Sequence, residues 1–426
     1  MKNWKAPKYL FFLLWLLPHS AHGALPDYCF APNVHEIKSS LYDQGSRTFS
    51  YRYQIISQSD KSVPTVIYLQ GGPGSPAIQD WSSAASKELL NTMVGGSKFN
   101  WIFIDPRGIG CNSAKEHSIR ADALTTELTA KDVVNVILAE GLQKFILYGH
   151  SYGSELATVI ANLSERSGLK PASVVLGGVV GFGTAGEDGS DAINRNNGWS
   201  AAQTFMPSDA LKFLNGPQAS EIDAYIWDDF MYDLLLRGRF VKDAKIVWPL
   251  EDAMKLIADP KIDISKIKEA ASVFPKSGWN GIADEGDVTL VYQSIACHEI
   301  QNYAHSILFQ ANHFADVIHS QNFCENIQLD RRYDSKNWPI RAPIIYLSGS
   351  ADPCTPPSQV AYHLKNQRLA KRTFISILNG GHSGVGRALN DCQTEFWNSA
   401  ASGGVGMKES LAKCAINPSV QFMPAD

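Results

Sequence analysis

The pentapeptide Gly149-His150-Ser151-Tyr152-Gly153 constrains this chain more than any other feature, because of what stands on either side of it. Phe145-Ile146-Leu147-Tyr148 before it is a short apolar, β-prone run, and residues 152–163 after it read as a helix. A strand that turns into a helix within one residue needs a backbone free of Cβ on both sides of the turn, and glycine supplies that. On its own a G-x-S-x-G pattern means little, since Gly and Ser are common. Between a strand and a helix it is the pattern of a nucleophile elbow, which lifts a serine hydroxyl to the C-terminal end of a sheet.

Other runs repeat the strand-then-turn pattern. Thr65-Val66-Ile67-Tyr68-Leu69 ends at Gly71-Gly72-Pro73-Gly74, and Trp101-Ile102-Phe103-Ile104 ends at Asp105-Pro106-Arg107-Gly108. Ser173-Val174-Val175-Leu176, Ile344-Ile345-Tyr346-Leu347 and the run 373–378 each end in glycine turns as well. Continuous apolar runs suit strands buried on both faces of a parallel sheet. Helical stretches lie between most of them, including 125–142, which places Leu128, Val133, Val136 and Ile137 on one face. The fold class is therefore α/β, a mostly parallel doubly wound sheet. Residues 35–42 and 49–56 look like an antiparallel hairpin at one edge. Residues 186–337 break the rhythm with helix formers and few strand signals, and read as an inserted, mainly helical cap. That divides the core into 24–185 and 338–426.

Residues 1–23 have the form of a signal peptide. Lys2, Lys5 and Lys8 precede an apolar run over 9–17, Pro18 breaks it, and Ala21-His22-Gly23 offers small residues at a cleavage site. The run falls well short of the roughly 20 residues a spanning helix needs. The reading is a secreted or periplasmic protein with no stable membrane insertion. Such a compartment favours disulfides, and the chain has 7 cysteines, so at least one is left over. Cys392 with Cys414 and Cys297 with Cys324 are the expected pairs, with Cys29, Cys111 and Cys354 open. A net charge of −4 gives no electrostatic footprint for nucleic acid. No cysteine–histidine spacing suits zinc.

A serine nucleophile needs a base, and the base needs an orienting carboxylate. In this architecture they follow in the order Ser, Asp, His, on loops after late strands. Asp352 follows 344–347 through Ser348-Gly349-Ser350-Ala351, and His382 follows 373–378 through Asn379-Gly380-Gly381. His150 precedes the serine and is expected to turn away from it. The oxyanion of an acyl-transfer intermediate would take the backbone N–H of Tyr152 and one from the early glycine loop, Gly71 or preferably Gly72.

Taken in order, Gln70-Gly71-Gly72-Pro73-Gly74, Asp105-Pro106-Arg107-Gly108-Ile109-Gly110, Gly149-His150-Ser151-Tyr152-Gly153, Asp352-Pro353 and Gly380-Gly381-His382 resemble the proline iminopeptidase and tripeptidyl aminopeptidase family of α/β-hydrolases. The stretch 392–414 is similar to the Cys-bounded C-terminal helix of its secreted branch. The resemblance implies hydrolysis of a peptide bond near a free N-terminus beneath a helical cap, with no metal or organic cofactor. Ala296-Cys297-His298-Glu299 resembles a cap segment whose carboxylate receives the substrate's α-ammonium, which makes Glu299 the candidate for substrate binding. Gln70 stands where the family often has His, which changes the side chain but not the glycine backbone of the turn. The substrate is then a peptide or a small acyl compound. An esterase or lipase-like hydrolase needs the same triad and is the competing reading. A serine carboxypeptidase usually has Glu where this chain has His150, and a catalytically silent binding module would have no need of a triad.

Overall fold

A computed structural model describes residues 25–43, 47–56, 63–79, 99–185, 208–214, 240–242, 245–247, 286–302, 324, 327, 330–350, 352, 355–382, 389, 392–414 and 419–425. The expected leader, 1–23, and most of the expected cap, 186–337, lie outside these residues. The described pieces of the cap stretch include a helix at Ser208–Leu214 and an antiparallel ribbon of Phe240–Lys242 with Lys245–Val247.

Nine strands form one sheet among the described residues: β1 (Val34–Ser40), β2 (Thr48–Ile56), β3 (Thr65–Leu69), β4 (Asn100–Ile104), β5 (Phe145–His150), β6 (Ser173–Gly177), β7 (Ile344–Gly349), β8 (Arg372–Ile377) and β9 (Val420–Met423). Their spatial order is β1-β2-β4-β3-β5-β6-β7-β8-β9. The six strands from β4 to β8 are parallel, and the hairpin β1–β2 and the terminal β9 add antiparallel edges. The sequence indicates the parallel strands and the hairpin to within about two residues, the usual scatter at element ends. It misses β9, a four-residue edge strand whose pattern is too short to read.

Every residue of β4, β6 and β7 is buried, because helices cover both faces. Side chains alternate between the two sides. Ile67, Ile102, Leu147, Val174 and Tyr346 face a core shared with α1 (Thr126–Ala139) and α2 (Tyr152–Arg166). Val66, Trp101, Ile146, Val175 and Ile345 face a second core, closed by the C-terminal helices Gln393–Ala401 and Met407–Ala412. Helix α1 starts at Thr125, whose hydroxyl accepts from the Leu128 N–H at 3.1 Å.

One buried ion pair ties the loop after β4 to the hairpin and to α1. Arg107 is 1 % exposed. It donates to both carboxylate oxygens of Asp132, through Nε at 2.8 Å and Nη2 at 2.7 Å. Its remaining donors reach the carbonyls of Leu41 (2.9 Å), Ala123 (3.1 Å) and Ser40 (3.1 Å). Ser39 Oγ donates to Asp132 as well. All five guanidinium N–H groups are thus paired, the condition under which a buried charge is tolerated.

Three disulfides bridge the described cysteines. Cys297–Cys324 and Cys392–Cys414 are the two expected pairs. Cys29–Cys111, left open by the sequence, closes a separation of 82 residues and fixes the N-terminal segment beside the loop after β4. Cys354 lies outside the described residues.

Two stability predictions follow from these crosslinks. Asp132→Ala leaves the guanidinium buried and unpaired, so urea unfolding should show a loss of about 3–5 kcal/mol. Replacing Cys29 and Cys111 together by Ser should cost about 4.5 kcal/mol in the chain-entropy picture, readable in the same titration.

Candidate active site

Ser151 stands between β5 and α2 with φ 57° and ψ −128°, a positive-φ conformation outside the left-handed helical region that L-residues rarely adopt. The glycines around it explain how the turn closes. A Cβ on Gly149 would lie 1.9 Å from the Gly153 carbonyl oxygen, and one on Gly153 would lie 2.1 Å from that of Leu69. The absent side chains let α2 settle against the ends of β3 and β5. The Ser151 N–H donates to the Gly177 carbonyl at 2.8 Å, which fastens the turn to the end of β6.

Asp352 and His382 follow β7 and β8, as their sequence order requires. His382 Nδ1 lies 2.8 Å from Asp352 Oδ2, with both residues buried. A carboxylate here accepts the Nδ1–H, leaving Nε2 with the lone pair of a base. Burial alone would raise the Asp352 carboxyl. The His382 charge and hydrogen bond, with two further donors from Thr355, outweigh burial and hold it below the usual carboxylate range. Those donors are the Thr355 N–H to Oδ1 at 3.0 Å and its hydroxyl to Oδ2 at 2.8 Å. Thr355 is a site residue that sequence reasoning misses. Its only signal is an Asp-x-x-Thr spacing, typical of local side-chain-to-backbone turns.

The turn Gly177-Gly178 brings the serine and histidine loops together. Gly177 accepts from Ser151, and a Cβ on Gly178 would lie 2.8 Å from His382 Cε1. His150 also takes part: its ring centroid is 4.7 Å from that of His382. Its ring packs against the histidine, with Nδ1 beside Gly177.

Gly71 lies against Ser151. Its hypothetical Cβ would fall 2.9 Å from Ser151 Cβ and 3.5 Å from Ser151 Oγ, so no side chain fits there. Gly72, the preferred oxyanion donor from sequence, follows directly with φ 118°. Tyr152 begins α2, and its N–H points out of the helix N-terminus. Gln70, where the resembling family often has His, accepts from the Tyr68 hydroxyl.

Glu299 is buried on the π-helical turns Gln293–Ile300. Both its carboxylate oxygens lie 3.3 Å from the Thr126 N–H at the start of α1, where a helix favours negative charge. Thr126 Oγ1 donates to Glu155 on α2 at 3.1 Å and contacts the Tyr152 hydroxyl at 3.2 Å. Burial raises the Glu299 carboxyl, and burial with the neighbouring Glu299 charge raises that of Glu155. Glu155 Oε2 has no hydrogen-bond partner among the described residues. The pair is thus a place where one negative charge is hard to hold and two are harder. Among the described residues, no three His, Cys, Asp or Glu side chains gather as metal ligands.

The family described as alpha/beta hydrolase fold matches residues 64–174, from β3 through the turn at Ser151 into β6. No curated protein sequence matches the chain. Solved structures similar to it include a proline iminopeptidase from Mycobacterium smegmatis, 12 % identical, with 89 % of this chain and 99 % of that one covered and a TM-score of 0.45. A serine hydrolase, CCSP0084, from the bacterium Cycloclasticus zankles is 14 % identical, with 86 % and 98 % covered and a TM-score of 0.44. The esterase RhEst1 from Rhodococcus sp. ECU1013 is 14 % identical, with 90 % and 99 % covered and a TM-score of 0.40. Likeness at this level carries no information on substrate. The strand order, the strained serine turn and the match over 64–174 together establish that the chain has the α/β-hydrolase fold.

Proposed function

We propose that this protein is an exported serine hydrolase that forms an acyl-enzyme on Ser151 and cleaves peptide bonds near a free N-terminus. The observation that carries the hydrolase reading is the buried 2.8 Å contact between His382 and Asp352, set beside the serine turn. His382 Nε2 takes the serine proton as Oγ attacks the acyl carbon. The same proton then passes to the leaving amine. Asp352 holds the imidazole in the required tautomer and offsets the imidazolium charge. The N–H groups of Tyr152 and Gly72 receive the oxyanion. Water then attacks the acyl-enzyme, again with His382 as base. Three disulfides support export. Among the described residues no helix is long and apolar enough to cross a membrane.

The aminopeptidase reading rests on Glu299 as acceptor of the substrate ammonium, and the strained carboxylate pair it forms with Glu155 supports it, since a cation relieves that repulsion. One observation favours hydrolysis of small esters instead: Glu299 already has a partner in the Thr126 N–H.

A fluorophosphonate probe and turnover of p-nitrophenyl acetate test the triad. Ser151→Ala should abolish labelling, and Ser151→Ala and His382→Ala should each lower kcat by about 10⁴–10⁶, with Asp352→Asn less severe, because the three act as a unit. Labelling that survives Ser151→Ala would refute the assignment.

Glu299→Gln separates the two substrate readings. On free-amine aminoacyl or tripeptidyl substrates kcat/KM should fall by roughly one to three decades, while p-nitrophenyl acetate is nearly unaffected. Equal losses on both would give Glu299 to the fold. The same variant carries a pH signature. A carboxyl whose folded pKa is raised gives stability that is fully present below its unfolded value and is lost as pH climbs through the folded value. Thermal unfolding of Glu299→Gln should therefore depend less on pH between 5 and 8 than that of the unmutated protein.

A further inference from the structure

We propose that Asp105 is a positioning residue for the glycine loop 70–76: its carboxylate fixes the chain where that loop ends and so sets where the oxyanion donor lies. The inference rests on the serine-hydrolase reading given above.

The loop is held differently at its two ends. Its start continues β3, which pairs with β4 and β5, and α2 lies against it through Gly153. At its other end the chain running out of it, residues 75–79, belongs to no helix or strand. What holds it is Asp105 Oδ1, which accepts the N–H of Ala77 at 2.6 Å and of Ile78 at 2.8 Å. The amide of Gln54 grips Gln79 one residue on. Asp105 Oδ2 accepts the Cys111 N–H at 2.9 Å, so one carboxylate joins the loop to the disulfide-linked turn. Asp105 itself is anchored just past β4, where its carbonyl accepts from the Tyr51 hydroxyl at 3.0 Å and Asn112 Nδ2 at 2.8 Å. Gly110, at φ 54°, makes room for it: a Cβ there would lie 2.2 Å from Asp105 Oδ2.

The energetics indicate that the fold alone does not require an ion here. Asp105 is fully buried, and burial pushes its carboxyl up to about 6 despite the three N–H donors that lower it. A neutral residue would relieve that burial. An amide, however, offers one acceptor oxygen against three N–H groups, and its NH₂ would face a donor. The ionised form is the one that holds both sides at once.

Asp105→Asn in the full chain separates positioning from stability. The readouts are kcat and KM on p-nitrophenyl acetate, the affinity for phenylboronic acid, which adds to Ser151 Oγ as a tetrahedral anion, and the unfolding midpoint. The expected result is kcat down by about 10–100-fold, part of what a whole oxyanion donor contributes. Boronate affinity should fall by a similar factor, KM should stay within about threefold, and the midpoint at pH 8 should shift only slightly, because the removed burial of charge offsets the Cys111 N–H left facing the amide NH₂, so that the protein is still folded under assay conditions. Unchanged kcat and boronate affinity would overturn the proposal, as would a loss of activity that only follows a loss of folded protein. If Asp105→Asn does not fold, Ala77→Pro removes one donor and leaves the carboxylate intact. It should lower kcat in the same pattern, and unchanged kcat would again overturn the proposal. Activity of the unmutated protein distinguishes the two failures. A protein that neither labels at Ser151 nor turns over ester refutes the hydrolase reading and this inference with it. An active one with an unaffected Asp105→Asn refutes this inference alone.

Discussion

The C-terminal edge of the sheet is organised by one backbone turn, at Ser151, where the chain leaves β5 at φ 57° and enters α2 at once. A positive φ at a non-glycine residue is strained by about 1–3 kcal/mol and persists only where the surroundings over-determine it. Here they do. Gly149 and Gly153 permit approaches that no Cβ would survive, Gly177 accepts the serine N–H, and Gly71 leaves the hydroxyl unobstructed. The glycines two residues to either side make room for the turn, and the Ser151 side chain is left half-buried at the C-terminal end of the sheet.

Around that turn, the layers are registered by buried polar groups as well as by apolar packing. Arg107 with Asp132 joins the loop after β4 to the hairpin and α1. Asp105, two residues earlier, joins the same loop to the glycine loop and to Cys111. Glu299 reaches the start of α1, and through Thr126 meets Glu155 on the helix that follows Ser151. Apolar contact is non-directional and would tolerate small shifts between these pieces. Directional hydrogen bonds to buried charges, as at Arg107 and Asp105, do not. The loops around Ser151 are thus tied together through four carboxylates, each of which burial makes hard to keep ionised where it stands.

Much of the site is legible in the sequence because its parts are local. A nucleophile elbow is a five-residue device, and the runs before and after Ser151 declare the strand and helix it needs. Asp352 and His382 can be placed for a similar reason: each follows an apolar run through a glycine or serine turn, in the order the topology demands. Thr355 and the ring contact of His150 with His382 are not legible in that way. Their significance lies in which loops converge, and a threonine or histidine in a turn has the same appearance whether or not a partner stands 3 Å away. Glu299 shows the same limit from the other side. The residue is found by resemblance, but its contact with Thr126, 173 positions away in the chain, has no signature in the residues around it.

The sequence by itself determines the alternation of buried strands and helices, the placing of Ser151 at a strand-to-helix turn, and the candidates for its two partners. Each of these follows from side-chain periodicity or from glycine at fixed offsets, and both act over a few residues. Only the tertiary structure decides the rest. It adds β9 at the sheet edge, pairs Cys29 with Cys111, and surrounds Arg107 with five acceptor contacts. It also sets two glutamates from distant segments against one threonine. These depend on contacts between residues far apart in the chain. Their energies come from desolvation and from matched donors and acceptors, quantities that exist only once the layers have closed.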